Sequence, residues 1–129
     1  MSKETTKLIL VEDDRWLADC LSETLHGFSI KKITDPEKVF IEIESDMPDL
    51  ILADITLGRK NIFVLLNEMQ SYSDTRDIPI IILSSAASRL NLTDLEPYGV
   101  RSIIDKVTAT PDEISTEILH AISDTKGGK

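Results

Sequence analysis

Six side chains able to handle charge sit at the ends of apolar runs. Glu12 and Asp13 follow Leu8-Ile9-Leu10-Val11, and Asp54 closes Leu50-Ile51-Leu52-Ala53. Ser84 and Ser85 end Ile80-Ile81-Ile82-Leu83, and Lys106 comes shortly after Ile103-Ile104. Clustered carboxylates repel one another unless a cation sits among them, and hard oxygen donors suit Mg2+. A carboxylate in that setting can attack phosphorus as a nucleophile. Phosphoryl transfer runs mostly on positioning and charge neutralisation, which an ammonium such as Lys106 and a hydroxyl such as Ser84 can supply. Taken together, the residues suit binding a divalent cation and accepting a phosphoryl group on Asp54.

Each residue also has an ordinary use. Asp13 or Asp14 can cap the next helix, Asp54 can sit in a turn, Ser84 can be a loop hydroxyl and Lys106 a solvated amine. The chemical reading rests on their shared position at the ends of buried strands.

The strands that carry them alternate with helical patterns. The first spans Lys7–Val11, and Leu17, Cys20, Leu21, Thr24, Leu25 and Phe28 then step along one predicted helix stripe that Gly27 ends. A second strand over Ser29–Ile33 mixes lysines with apolar residues, as a half-exposed edge strand does. Asp35-Pro36-Glu37 starts a helix with Val39, Phe40, Ile43 and Met47 inward. Strand three is Asp49–Asp54, followed by a helix burying Ile62, Leu65, Leu66 and Met69. Strand four is Ile78–Leu83, and a weaker helix covers about Ser88–Pro97, with Leu92 and Leu95 as its buried residues. Strand five spans Arg101–Ile104, and a last helix from near Thr110 buries Ile114, Ile118, Ala121 and Ile122. Strands one, three and four are apolar throughout, so both their faces are covered. That pattern predicts an α/β fold: a three-layer, doubly wound, five-stranded parallel sheet in the flavodoxin-like order 2-1-3-4-5. In that order strands one and three are neighbours, and ligands bind in the crevice at their carboxyl ends.

Composition narrows the function. A net charge of −9 argues against a nucleic-acid surface, which needs clustered Lys and Arg. The single cysteine, Cys20, rules out an internal disulfide framework, fits a reducing compartment and reads as a core residue. The N-terminal residues carry no secretory signal and no segment is long and apolar enough to span a membrane, so a cytoplasmic protein is expected. Residues 1–125 are expected to form the domain, with 126–129 a disordered tail or the start of a linker.

Those residues resemble the response-regulator receiver domain of two-component signalling, of the chemotaxis-regulator kind. The resemblance covers nearly the whole chain. It rests on Ile9-Leu-Val-Glu-Asp13, Asp54, Ser84 and Lys106, with 30 residues between the second and third and 22 between the last two. It implies phosphate from a histidine kinase or histidine phosphotransfer protein, and Mg2+ held by Asp13, Asp54 and the Thr56 backbone carbonyl, with Glu12 acting mainly through water. It also implies an output protein that the sequence does not name; a monomer or weak phosphorylation-dependent dimer is expected, and the charge and hydropathy give no expectation of a nucleic-acid or membrane partner. Catalysis would be confined to the domain's own phosphorylation and dephosphorylation.

Several positions depart from the pattern. Gly58 and Asn61-Ile62 replace the usual Pro and Asp-Gly, Val107 replaces the Pro after the lysine, and Ile103 stands where a switching aromatic is usual. A trans bond is expected at Lys106–Val107, since a non-proline cis bond costs about 2.5–4 kcal/mol. These departures motivate a second reading, a pseudo-receiver that binds a partner without being phosphorylated. An aspartate-nucleophile phosphatase would need an acid at Thr56, and a flavin protein would need a Gly-rich phosphate loop where Glu12-Asp13-Asp14 stands.

Overall fold

The computed structural model describes residues 5–55 and 62–127. Five parallel strands run β1 (Thr6–Val11), β2 (Phe28–Ile33), β3 (Leu50–Asp54), β4 (Ile80–Ser84) and β5 (Val100–Asp105). They pair in the expected order β2-β1-β3-β4-β5. The intervening helices are α1 (Arg15–Thr24), α2 (Val39–Ser45), α3 (Ile62–Gln70), α4 (Leu92–Leu95) and α5 (Pro111–Gly127). Strand boundaries differ from the sequence reading by one or two residues.

Side-chain alternation along the buried strands builds two cores. Ile9, Val11, Ile51, Ala53, Ile80 and Ile82 face the side covered by α2 and α3, packing with Val39, Ile43, Leu66 and Met69. Leu8, Leu10, Leu50, Leu52, Ile81 and Leu83 face Ala18, Ile114 and Ile118 of α1 and α5. Successive residues thus feed opposite layers, which is why these strands carry no polar interruption.

Three helical expectations need correction. In α1 the buried residues are Ala18 and then Leu25 at the C-cap, whereas Thr24 is exposed and Phe28 already belongs to β2. Thr24 turns its hydroxyl back to the Cys20 carbonyl at 3.0 Å, a use that takes it off the core stripe. Met47 lies beyond the end of α2 and is 47% exposed. The continuous helix read over Ser88–Pro97 is a one-turn α4 flanked by 3-10 turns at Ala87–Arg89 and Glu96–Tyr98. Asn91 caps α4 through the Thr93 amide, and Pro97 enters the second 3-10 turn near its start. Each of these residues favours beginning a helical turn over continuing one.

Gly99, which connects that turn to β5, has a left-handed φ of 89°. A Cβ there would stand 3.0 Å from Gln70 Nε2, which donates to the Tyr98 carbonyl. Gly99→Ala should therefore destabilise by about 1–2 kcal/mol. Gly27→Ala shares the φ but meets nothing within 4 Å, so it should cost less. Urea unfolding of the two variants checks the ordering.

Candidate functional site

Strand register creates the site. β1 and β3 pair Val11 with Ala53, so the next residues, Glu12 and Asp54, leave the sheet side by side. Both continue the Leu8/Leu10 and Leu50/Leu52 parity that faces α1 and α5. One carboxylate oxygen from each of Glu12, Asp13 and Asp54 lies within 4.8 Å of the others. Glu12 and Asp54 are each 1% exposed, while Asp13 is open to solvent. The capping role falls to Asp14, whose side chain accepts from the Leu17 amide at 3.1 Å.

β5 delivers the cation. The Lys106 amide donates to the Ser84 carbonyl at 3.1 Å, which carries the β4–β5 ladder one step past the strand end. From there Lys106 Nζ donates to Asp54 Oδ2 at 2.5 Å and lies 3.6 Å from Glu12 Oε1. Among the described residues every peptide bond is trans, so Val107 follows Lys106 without the cis geometry a proline could favour.

The electrostatics follow from burial. Glu12 Oε2 accepts from the Asp14 amide at 3.2 Å, but its buried Oε1 has no hydrogen-bond partner. Burial, followed by the neighbouring Asp54 carboxyl, raises the Glu12 pKa from 4.5 to about 7; Asp14 and Lys106 pull the other way. Burial also works against the charged form of Lys106, yet Asp54 and Glu12 outweigh it and raise its pKa.

Ser84 is fully buried at the end of β4, and its Oγ accepts from the Ala86 amide at 2.9 Å. Thr56 lies outside the described residues, as do Gly58 and Asn61. Ile103 is half-buried against the α2–α3 core. Trp16, in the first turn of α1, is 73% exposed and so does not pack into the core. The Asp14 backbone amide, which holds Glu12, escaped sequence reasoning because amide direction depends on the turn and not on residue type.

The sequence matches the response regulator receiver domain over residues 8–119, and the chain belongs to that family. It is 35% identical over 83 residues to the transcriptional regulatory protein CiaR of Streptococcus pneumoniae, covering 64% of this chain and 36% of that one. It is 33% identical over 115 residues to the transcriptional regulatory protein CpxR of Klebsiella pneumoniae, covering 80% and 48%. The chain thus spans half or less of the length of these two relatives. The N-terminal domain of the nisin resistance regulator NsrR superposes with a TM-score of 0.79 at 27% identity, over 92% of this chain and 99% of that one. A CheY-like receiver domain protein from Methanospirillum hungatei shares the fold at a TM-score of 0.82 and 19% identity, over 98% and 100%. Receiver domains of this family work in two-component systems, where histidine kinases are their partners. Among the described residues no helix is long and apolar enough to cross a membrane.

Proposed function

We propose that this receiver domain takes a phosphoryl group onto Asp54 in a Mg2+-dependent transfer from a histidine kinase or histidine phosphotransfer protein, and that the modification switches a protein-interaction surface. The observation that carries the reading is Asp54 itself, a buried strand-end carboxylate set among two further acids and hydrogen-bonded to a lysine. The donors fit Mg2+, being carboxylate oxygens of which one, Glu12 Oε1, is buried with no hydrogen-bond partner. Glu12, Asp13 and Asp54 would hold the ion together with Thr56, and the ion would neutralise charge on the phosphoryl oxygens.

The side chains divide the remaining work. An Asp54 carboxylate oxygen forms the new O–P bond as the N–P bond breaks in a donor phosphohistidine protonated on its other ring nitrogen, leaving an acyl phosphate on the protein and a neutral imidazole on the donor. Lys106 moves its ammonium from the carboxylate to a phosphoryl oxygen. Ser84 Oγ already accepts from Ala86, which leaves its own proton to donate to another phosphoryl oxygen. Because the Ser84 carbonyl holds the Lys106 amide, a shift of Ser84 carries into β5 and towards α4, a single turn whose one buried residue is Leu95. Residues 1–125 form the functional unit on this reading, placed in the cytoplasm where kinase and phosphate donor are found.

Incubation with Mg2+ and a small acyl-phosphate donor tests this by intact mass. Wild type should gain about 80 Da, one phosphoryl unit, and Asp54→Asn should gain nothing. No adduct on wild type from the donor or from any kinase would instead support a phosphorylation-independent binding module.

A further inference from the structure

The α2–α3 side of the molecule carries an open groove of about 750 Å3, and none of its lining residues belongs to the acidic site. Ile43 is buried at its base, and the half-buried Phe40 meets Tyr72 edge-on, with ring centroids 5.9 Å apart at 74°. Tyr72 is 56% exposed and Met47 is 47% exposed. The buried Thr75 pins the segment after α3 by donating to the Met69 carbonyl at 2.6 Å. Around these surfaces stand the carboxylates of Glu37, Glu44, Glu68 and Asp74, and among the described residues no Lys or Arg lines the groove.

We propose that this groove docks a short cationic, amphipathic segment of a partner protein. An Arg or Lys side chain would lie on the Phe40–Tyr72 pair within reach of the surrounding acids, and an apolar neighbour would rest on Met47 and Ile43. Aromatic faces attract cations, and the carboxylates add to that attraction while repelling acidic partners. Methionine adapts its shape to varied apolar partners. A groove of this volume accommodates a few side chains, as a linear segment presents, and not a broad domain face. The inference is independent of Asp54 chemistry.

Fluorescence anisotropy of a labelled short peptide of alternating leucine and arginine, titrated with the whole chain, tests it. Tyr72→Ala and the double variant Glu44→Gln/Asp74→Asn should each weaken binding by roughly tenfold. A control double variant, Glu23→Gln/Glu117→Gln, removes equal charge from α1 and α5 and should bind like wild type. All four positions are exposed, as is Tyr72, and circular dichroism verifies that each variant folds. Equal weakening by both double variants, no effect of Tyr72→Ala, or displacement of the peptide by spermidine at matched charge would overturn the proposal. So would concentration-dependent self-association that Tyr72→Ala abolishes, since a second copy would then occupy the groove.

Discussion

Lys106→Met should lower folding stability by about 3 kcal/mol near pH 7.5 in a chelating buffer, although it removes only one side chain at the edge of the fold. The reason is what remains behind. Asp54 and Glu12 are each 1% exposed, and the Lys106 ammonium lies 2.5 Å from one and 3.6 Å from the other. Losing one partner of a buried ion pair costs roughly 3–5 kcal/mol because the other charge stays desolvated. The lower end applies here, since the lysine side chain is 18% exposed and one carboxyl can take up a proton. At pH 5, where Glu12 is largely protonated, the penalty should shrink, and adding Mg2+ at pH 7.5 should recover part of it. Urea unfolding at both pH values reads the effect, with an unchanged m-value showing that the denatured state is not responsible. A loss under about 1 kcal/mol at pH 7.5 would mark Lys106 as an ordinary surface amine.

Glu12→Gln should change how stability depends on pH. The folded chain holds the Glu12 proton up to about pH 7, whereas the unfolded chain releases it near 4.5. Between those values the folded state binds more protons, so stability falls as pH rises. The contribution is fully present below pH 4.5 and is lost as pH climbs through 7, which amounts to about 3 kcal/mol. Glu12→Gln should remove that decline and leave the metal-free protein more stable than wild type at pH 8. The same proton competes with a cation, so wild-type Mg2+ affinity should fall as pH drops below 7. Unfolding curves from pH 4.5 to 8 in chelator decide the matter. An identical slope in Glu12→Gln would place the burial cost elsewhere.

The parts of this molecule readable in advance are those fixed by short-range alternation. Ile51 and Ala53 enter one core and Leu50 and Leu52 the other, so an unbroken apolar run already implied two covered faces and a parallel sheet. Asp54 and Glu12 were legible for the same reason, because a charged residue at the end of such a run has nowhere to go but the strand mouth. Helix faces were harder. Which residue of α1 reaches the core depends on how the helix is rotated, and Ala18, too small to stand out in a stripe, holds that place. Met47 kept the helical period of α2, yet the chain leaves the helix at Asp46, whose extended backbone turns Met47 off the helical face. The break of α4 at Asn91 and Pro97 was written in residues that favour helix starts, but a competing apolar period masked it. The lysine was legible by spacing, whereas its contact with both acids depends on the Ser84–Lys106 backbone pairing that only the sheet reveals.

Borohydride trapping after incubation with Mg2+ and a small acyl-phosphate donor addresses the phosphoacceptor site most directly, because hydride reduces an acyl phosphate and leaves free carboxylates alone. Peptide mapping should then find residue 54, and no other acid of the cluster, converted to homoserine. Reduction at Asp13 or Glu12, or no reduction in a chain that has gained phosphate, would contradict Asp54 as the acceptor.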